Sequence, residues 1–123
     1  MTRILAIGCL AIIACCYVPA RAEDKVDIAG KYEGKGTGPN GAAYEVKVEV
    51  AKNGDTYTIK WEVGGGNETY EGIGILEGDV FSVSYTAGGN GHGVVAYKVT
   101  KGKLDGKWSP GDGKVYTETL TKK

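Results

Sequence analysis

The chain has few side chains that could do chemistry, and they are scattered. His92 is its one histidine. Glycine stands on each side of it, so nothing in its neighbourhood holds the imidazole rigid, and no multi-histidine metal site can form. Nucleophilic chemistry of the Ser-His-Asp type would have to run through this residue. Glu118 is the second candidate. It lies in an apolar stretch, between Tyr116 and Leu120 at a spacing of two. If those two face inward, a carboxylate is enclosed among aromatic rings and needs Tyr hydroxyls, a Trp N–H or a Lys as partner. If Val115, Thr117 and Thr119 face inward instead, Glu118 is solvated. Convergent ionisable groups are what an enzyme pocket requires, and these two residues alone do not supply them.

Other motifs carry less. Gly36-Thr37-Gly38-Pro39-Asn40-Gly41 matches G-x-G-x-x-G. A phosphate cradle needs a helix N-terminus behind that pattern, and Pro39 and the residues that follow do not provide one. A hairpin loop is the simpler reading. Gly88-Gly89-Asn90-Gly91-His92-Gly93 resembles one calcium-binding turn of a repeat, but Gly93 stands where the Asp belongs. Asn67-Glu68-Thr69 is a glycosylation sequon that matters only in a eukaryotic source. No cofactor is called for.

The elements that must position these residues are strands. Tyr44, Val46, Val48 and Val50 alternate with Glu45, Lys47 and Glu49, so one face is apolar and the other charged. Asn53-Gly54 marks a hairpin. Beyond it Tyr57, Ile59, Trp61 and Val63 alternate with Thr58, Lys60 and Glu62. The same period of two continues through 31–37, 68–76, 80–86, 94–100, 104–108 and 115–121. Eight short strands with short connections read as an all-β antiparallel up-and-down meander, closed into a small barrel that leaves no exposed edge. Glycine makes up 21 of 123 residues, well above the usual share of roughly 7%. In a tightly bent barrel such glycines clear space for large neighbours. The expected interior holds Tyr44, Tyr57, Trp61, Phe81, Tyr85, Tyr97 and Trp108, with little free volume. Tyr32-Glu33-Gly34-Lys35-Gly36 recurs as Tyr70-Glu71-Gly72-Ile73-Gly74, 38 residues later. That is either a three-strand repeat unit or coincidence in a glycine-rich chain.

The start of the chain reads differently. Arg3 precedes an apolar run over 4–18, and Pro19 and Ala20-Arg21-Ala22 follow. A positive start, an apolar middle and a small-x-small end make a secretory signal peptide, cut between Ala22 and Glu23. The run is short of the ~20 residues of a membrane-spanning helix. The expected division is thus a leader over 1–22, a linker over 23–27 and one barrel domain over 28–123. A competing reading takes Ile12-Ile13-Ala14-Cys15 as a lipobox, with Cys15 acylated and the domain tethered to a membrane. All three cysteines fall in the leader, so the exported domain has no disulfide. Both arginines, Arg3 and Arg21, fall there too, leaving 13 Lys against 15 Asp+Glu, a net charge of −2. Without Arg the surface lacks the side chain best suited to phosphate, and nucleic acid is not an expected partner.

The chain past the leader resembles a family of small secreted bacterial proteins, some of which carry the label fibronectin-binding protein. The residues that carry the likeness are Gly38-Pro39-Asn40-Gly41, Gly54-Asp55-Thr56-Tyr57, Gly64-Gly65, Tyr70-x-Gly72-x-Gly74-Ile75-Leu76, Val94-Val95-x-Tyr97, Leu104-x-Gly106-x-Trp108 and Glu118-x-Leu120. Gly30-Lys31-Tyr32 and the meander are also similar to the avidin and lipocalin class of ligand-binding barrels. The resemblance implies a secreted or periplasmic, non-enzymatic module that binds a protein such as fibronectin or a small hydrophobic ligand. A structural envelope protein, or a small enzyme using the barrel mouth, are the alternatives. In a filled barrel, recognition falls to the glycine-rich rim loops 87–93 and 109–114. The candidate ligand-binding residues are Trp108, Glu118, Tyr97, Trp61 and His92, with Trp108 as anchor. Mass spectrometry of the exported protein should find Glu23 at the N-terminus; a diacylglyceryl group on Cys15 would establish the tethered form instead.

Overall fold

A computed structural model describes residues 26–88 and 91–123. The expected leader, the Cys15 lipidation site and the Ala22–Glu23 cleavage site lie outside these residues. Eight antiparallel strands follow one another round a closed barrel: β1 (Gly30–Thr37), β2 (Ala43–Asn53), β3 (Thr56–Val63), β4 (Glu68–Glu77), β5 (Val80–Thr86), β6 (His92–Thr100), β7 (Lys103–Ser109) and β8 (Tyr116–Lys122). Each strand pairs with its sequence neighbours, and β1 pairs with β8 to close the ring. The strand alternation read from the sequence survives closure. Val46, Val48 and Val50 of β2 are buried, as are Tyr57, Ile59 and Trp61 of β3, while the charged residues between them are exposed. Among the described residues no helix is long and apolar enough to cross a membrane.

The two ends of the barrel differ because their connections differ. At one end, β2–β3, β4–β5 and β6–β7 are joined by two-residue turns. In the first of these Asn53 still pairs with Thr56, and the centre of the turn is Gly54-Asp55. Gly54 takes φ +59, the left-handed first position that glycine supplies in a type II′ turn. Ile28 precedes β1 at this end and is 2% exposed. The Tyr32 hydroxyl donates to the Ile28 carbonyl at 2.7 Å, so the incoming chain plugs the bottom of the barrel. At the other end the connections are 38–42, 64–67, 87–91 and 110–115. The first of these carries a single 3₁₀ turn, Pro39–Gly41, where the G-x-G-x-x-G pattern lies. No α-helix stands behind it, so the pattern is a hairpin loop.

Glycine and aromatic residues interlock across the wall. An alanine Cβ at Gly74 would come within 2.8 Å of Phe81 Cζ, and one at Gly106 within 2.6 Å of the Tyr97 ring. At Gly36 it would collide with the Tyr44 hydroxyl, and at Gly93 with the Tyr85 ring. The recurring Tyr-Glu-Gly-x-Gly segments put Tyr32, Gly34 and Gly36 on the inner face of β1 and Tyr70, Gly72 and Gly74 on that of β4. These two strands run in opposite directions, and what they share is a tyrosine and two glycines on the inner face. Gly106→Ala should destabilise the protein by ~1–3 kcal/mol through overpacking. The exposed neighbour Lys107→Ala should stay within about 0.5 kcal/mol of wild type, and urea unfolding of both compares them.

Candidate functional site

The lower half of the barrel is packed solid, with Phe81, Tyr97 and Leu120 fully buried and Ile59 and Leu104 1% exposed. The upper half is not. A cavity of about 690 Å³ opens between the long loops. It is a correction to the filled interior expected from the aromatic content. The reason is the tilt and placement of the rings: Tyr57, Phe81 and Tyr97 pack against one another toward the closed end. Tyr44, Trp61, Tyr85 and Trp108 line the wall of the open end. They meet edge to face, with ring centroids 5.7 Å apart for Trp61–Tyr85 and 6.3 Å for Tyr44–Trp108, a favourable aromatic geometry.

Glu118 contributes to this cavity. Tyr116 is half-buried and Leu120 buried on its face of β8, while Thr117 and Thr119 are exposed. The inward reading therefore holds, and Glu118 is 5% exposed. Its partners are those the chemistry required. Tyr44 donates to Oε1 at 3.0 Å; the Tyr97 hydroxyl donates to Oε2, and Trp61 Nε1 reaches the same oxygen at 3.3 Å while donating to Tyr97 Oη at 2.9 Å. Four strands, β2, β3, β6 and β8, meet at this one carboxylate. Its immediate neighbours across the sheet are Gly36 on β1 and Gly106 on β7. The space that those glycines leave open is where Tyr44 and Tyr97 reach it.

Burial and hydrogen bonding oppose one another here. Removal from water pushes the Glu118 carboxyl above its ordinary range, and the donors from Tyr97, Tyr44 and Trp61 pull back only part of the way. The Tyr97 and Tyr44 phenols are held well above their usual value, first by burial and then by the adjacent carboxylate. Trp108 beside Tyr44 works slightly the other way. Trp108 Nε1 is itself shielded from solvent and donates within hydrogen-bond geometry to no atom among the described residues. At the rim, the Tyr70 hydroxyl donates to Glu68 at 2.8 Å, and burial together with that carboxylate pushes Tyr70 up to about 12.

The five expected site residues separate into three positions. Trp61, Tyr97 and Glu118 form one hydrogen-bonded cluster. Tyr97 is wholly enclosed and holds Glu118 from beneath, away from the cavity surface. Trp108 is half-buried on the cavity wall, which settles its place between core and mouth in favour of the wall. His92 opens β6 and stands exposed on the rim. Tyr44, Tyr70 and Tyr85 line the cavity as well. Tyr44 and Tyr85 are legible as inward-facing by their period of two, but only the direction of each strand tells which end of the barrel a ring occupies.

No protein-family model matches the chain, and no curated protein sequence does either. The solved structures that it resembles are small barrels. One is a de novo designed fluorescence-activating β-barrel, at 15% identity and TM-score 0.58 over 77% of this chain and 93% of that one. Another is the REP1-NXSQ fatty acid transporter, at 15% identity and TM-score 0.51 over 79% of this chain and 96% of that one. At that identity the likeness establishes the fold alone.

The raised carboxyl of Glu118 has a consequence for stability. An acid whose folded pKa lies above its unfolded value, here 4.5, favours folding most when protonated. Its contribution is complete below the unfolded value and is lost as the pH rises through the folded one. Wild type should therefore gain stability relative to Glu118→Gln as the pH falls from about 8 to about 4. Urea midpoints of the two proteins across that range measure the difference, in which the other acids cancel; a difference that does not change with pH would mean the carboxyl titrates normally.

Proposed function

We propose that this protein is an exported, non-enzymatic binding module that takes a small, largely apolar molecule into the open end of its barrel. The observation that supports this most is the cavity: about 690 Å³, within the roughly 300–1,000 Å³ typical of small-molecule sites. It is walled by aromatic rings with a few polar groups at fixed places. The solid lower half makes the upper half a blind pocket with one entrance. A rigid wall of strands leaves only the long loops to move on entry, so little ordering cost falls on the wall itself.

The non-enzymatic reading rests on Glu118. A general acid or base must exchange its proton with a substrate within hydrogen-bond reach. Among the described residues Glu118 is hydrogen-bonded only to Tyr and Trp donors, and His92, the other candidate, stands on the exposed rim, so no acid–base pair faces a bound molecule. The leader supports export, either free or tethered through Cys15.

Titration with Nile red, a neutral apolar dye, tests the pocket. Emission should rise and saturate at one dye per protein. Val63 lines the same cavity, on the inner face of β3 above Trp61. Val63→Trp should fill the space and weaken dye binding at least about tenfold, equivalent to ~1.4 kcal/mol, with an unchanged melting temperature. Undiminished binding in a folded variant would move the site elsewhere, and amide shifts confined to the outer face around Lys47 and Lys60 would place it on the charged lateral surface.

A further inference from the structure

The wall of the cavity has a sign. Among the described residues it carries two carboxylates, Glu118 at depth and Glu68 at the rim, and no lysine or arginine, and its one basic side chain is His92, exposed at the edge. Lys47, Lys60, Lys98 and Lys107 sit on outward positions of their strands and are exposed, while Lys52 and Lys122, in the inward register of β2 and β8, lie at the closed end, away from the cavity. Between the two carboxylates stand the rings of Tyr44, Trp61, Tyr85 and Trp108, whose faces carry partial negative charge and attract cations.

Glu118 is also incompletely used. Oε2 accepts from both Tyr97 and Trp61, whereas Oε1 accepts from Tyr44 alone. A carboxylate oxygen can accept two hydrogen bonds. Among the described residues the second acceptor position of Oε1 is unfilled, and both Glu118 and Tyr44 line the cavity. All of the donors to Glu118 are neutral, so the ionised carboxylate has hydrogen bonds but no counter-charge among the described residues.

We infer that the cavity is selective for an amine: a primary or secondary ammonium group on an aromatic or aliphatic body, its N–H directed to Glu118 Oε1 and its body among the rings of Tyr44, Trp61, Tyr85 and Trp108. The inference rests on the reading of the barrel as a small-molecule binder. An ammonium supplies the missing counter-charge and the missing donor together. A carboxylate ligand, a fatty acid included, would bring a second anion to Glu118 with no cation in the wall to receive it, and repulsion in a partly desolvated site is strong.

Three probes of one shape test it: naphthylmethylamine, naphthylmethanol and naphthoate, each titrated calorimetrically into the protein at neutral pH. The amine should bind at least about tenfold more tightly than the alcohol, the scale of one charge-assisted hydrogen bond, and naphthoate more weakly than the alcohol. Glu118→Gln should abolish the amine's advantage over the alcohol. The wild-type series decides the matter even if that variant does not fold. Naphthoate binding as tightly as the amine, or an amine preference that survives Glu118→Gln, would overturn the inference. If Nile red is bound and excluded by Val63→Trp while amine and alcohol bind alike, only the charge selectivity falls. If neither the dye nor any of the three binds, the binding-barrel reading falls with it.

Discussion

One buried carboxylate organises this barrel. Glu118 enters the interior on β8, where it is almost fully buried, and an anion there is tolerated only if donors surround it. Tyr44 from β2, Trp61 from β3 and Tyr97 from β6 supply them. None of these strands adjoins β8 in the sheet, so the cluster ties together opposite sides of the wall in a way that the backbone ladder cannot. It also divides the barrel. Below it, aromatic and aliphatic side chains fill the interior down to the Ile28 plug. Above it, the same wall encloses open space.

The glycines are the other half of that arrangement. A donor from a distant strand can reach Glu118 only if the residues beside it are small. Gly36 and Gly106 flank it on the two adjoining strands, and each lies under one of the tyrosines that make the contact. Gly72 and Gly74 do the same for Trp61 and Phe81 on β4. Glycine weakens an isolated strand, and here the loss is offset by rings packed over the gap it leaves. Side-chain size and strand pairing therefore specify one register, because a shift by one residue would set each ring against a side chain and turn the charged face inward.

Topology separates stability from recognition. An up-and-down meander sends alternate connections to opposite ends, and here one set is as short as a hairpin allows while the other is long. The tight turns and the Ile28 plug close one end. The long loops hold the other open over a wall of rings that do not need to move. The carboxylates of the open end are Glu118 at depth and Glu68 with Tyr70 at the rim, and no lysine lines the cavity among the described residues. The strand period that puts the charged residues of β2 and β3 outside also puts the rings and Glu118 inside.

The amino-acid sequence by itself determined the all-β class, the eight strands, the meander and the inward set Tyr57, Trp61, Phe81, Tyr85 and Tyr97. These follow from a period of two and from turn residues, which act over a few positions and need no knowledge of the rest of the chain. It also singled out Glu118 and the kinds of donor that a buried carboxylate needs. It left the face of β8 open, because Tyr116 and Leu120 competed with Val115, Thr117 and Thr119, and the contest is decided by partners as far away as Tyr44, 74 residues earlier. Nor did it separate Tyr97, sealed beneath the carboxylate, from Trp108, exposed to the cavity. Both are inward residues of neighbouring strands. Which ring plugs and which lines depends on height along the barrel axis, and that height is set by the staggered register of all eight strands when they close, a property of the ring as a whole and of no single segment.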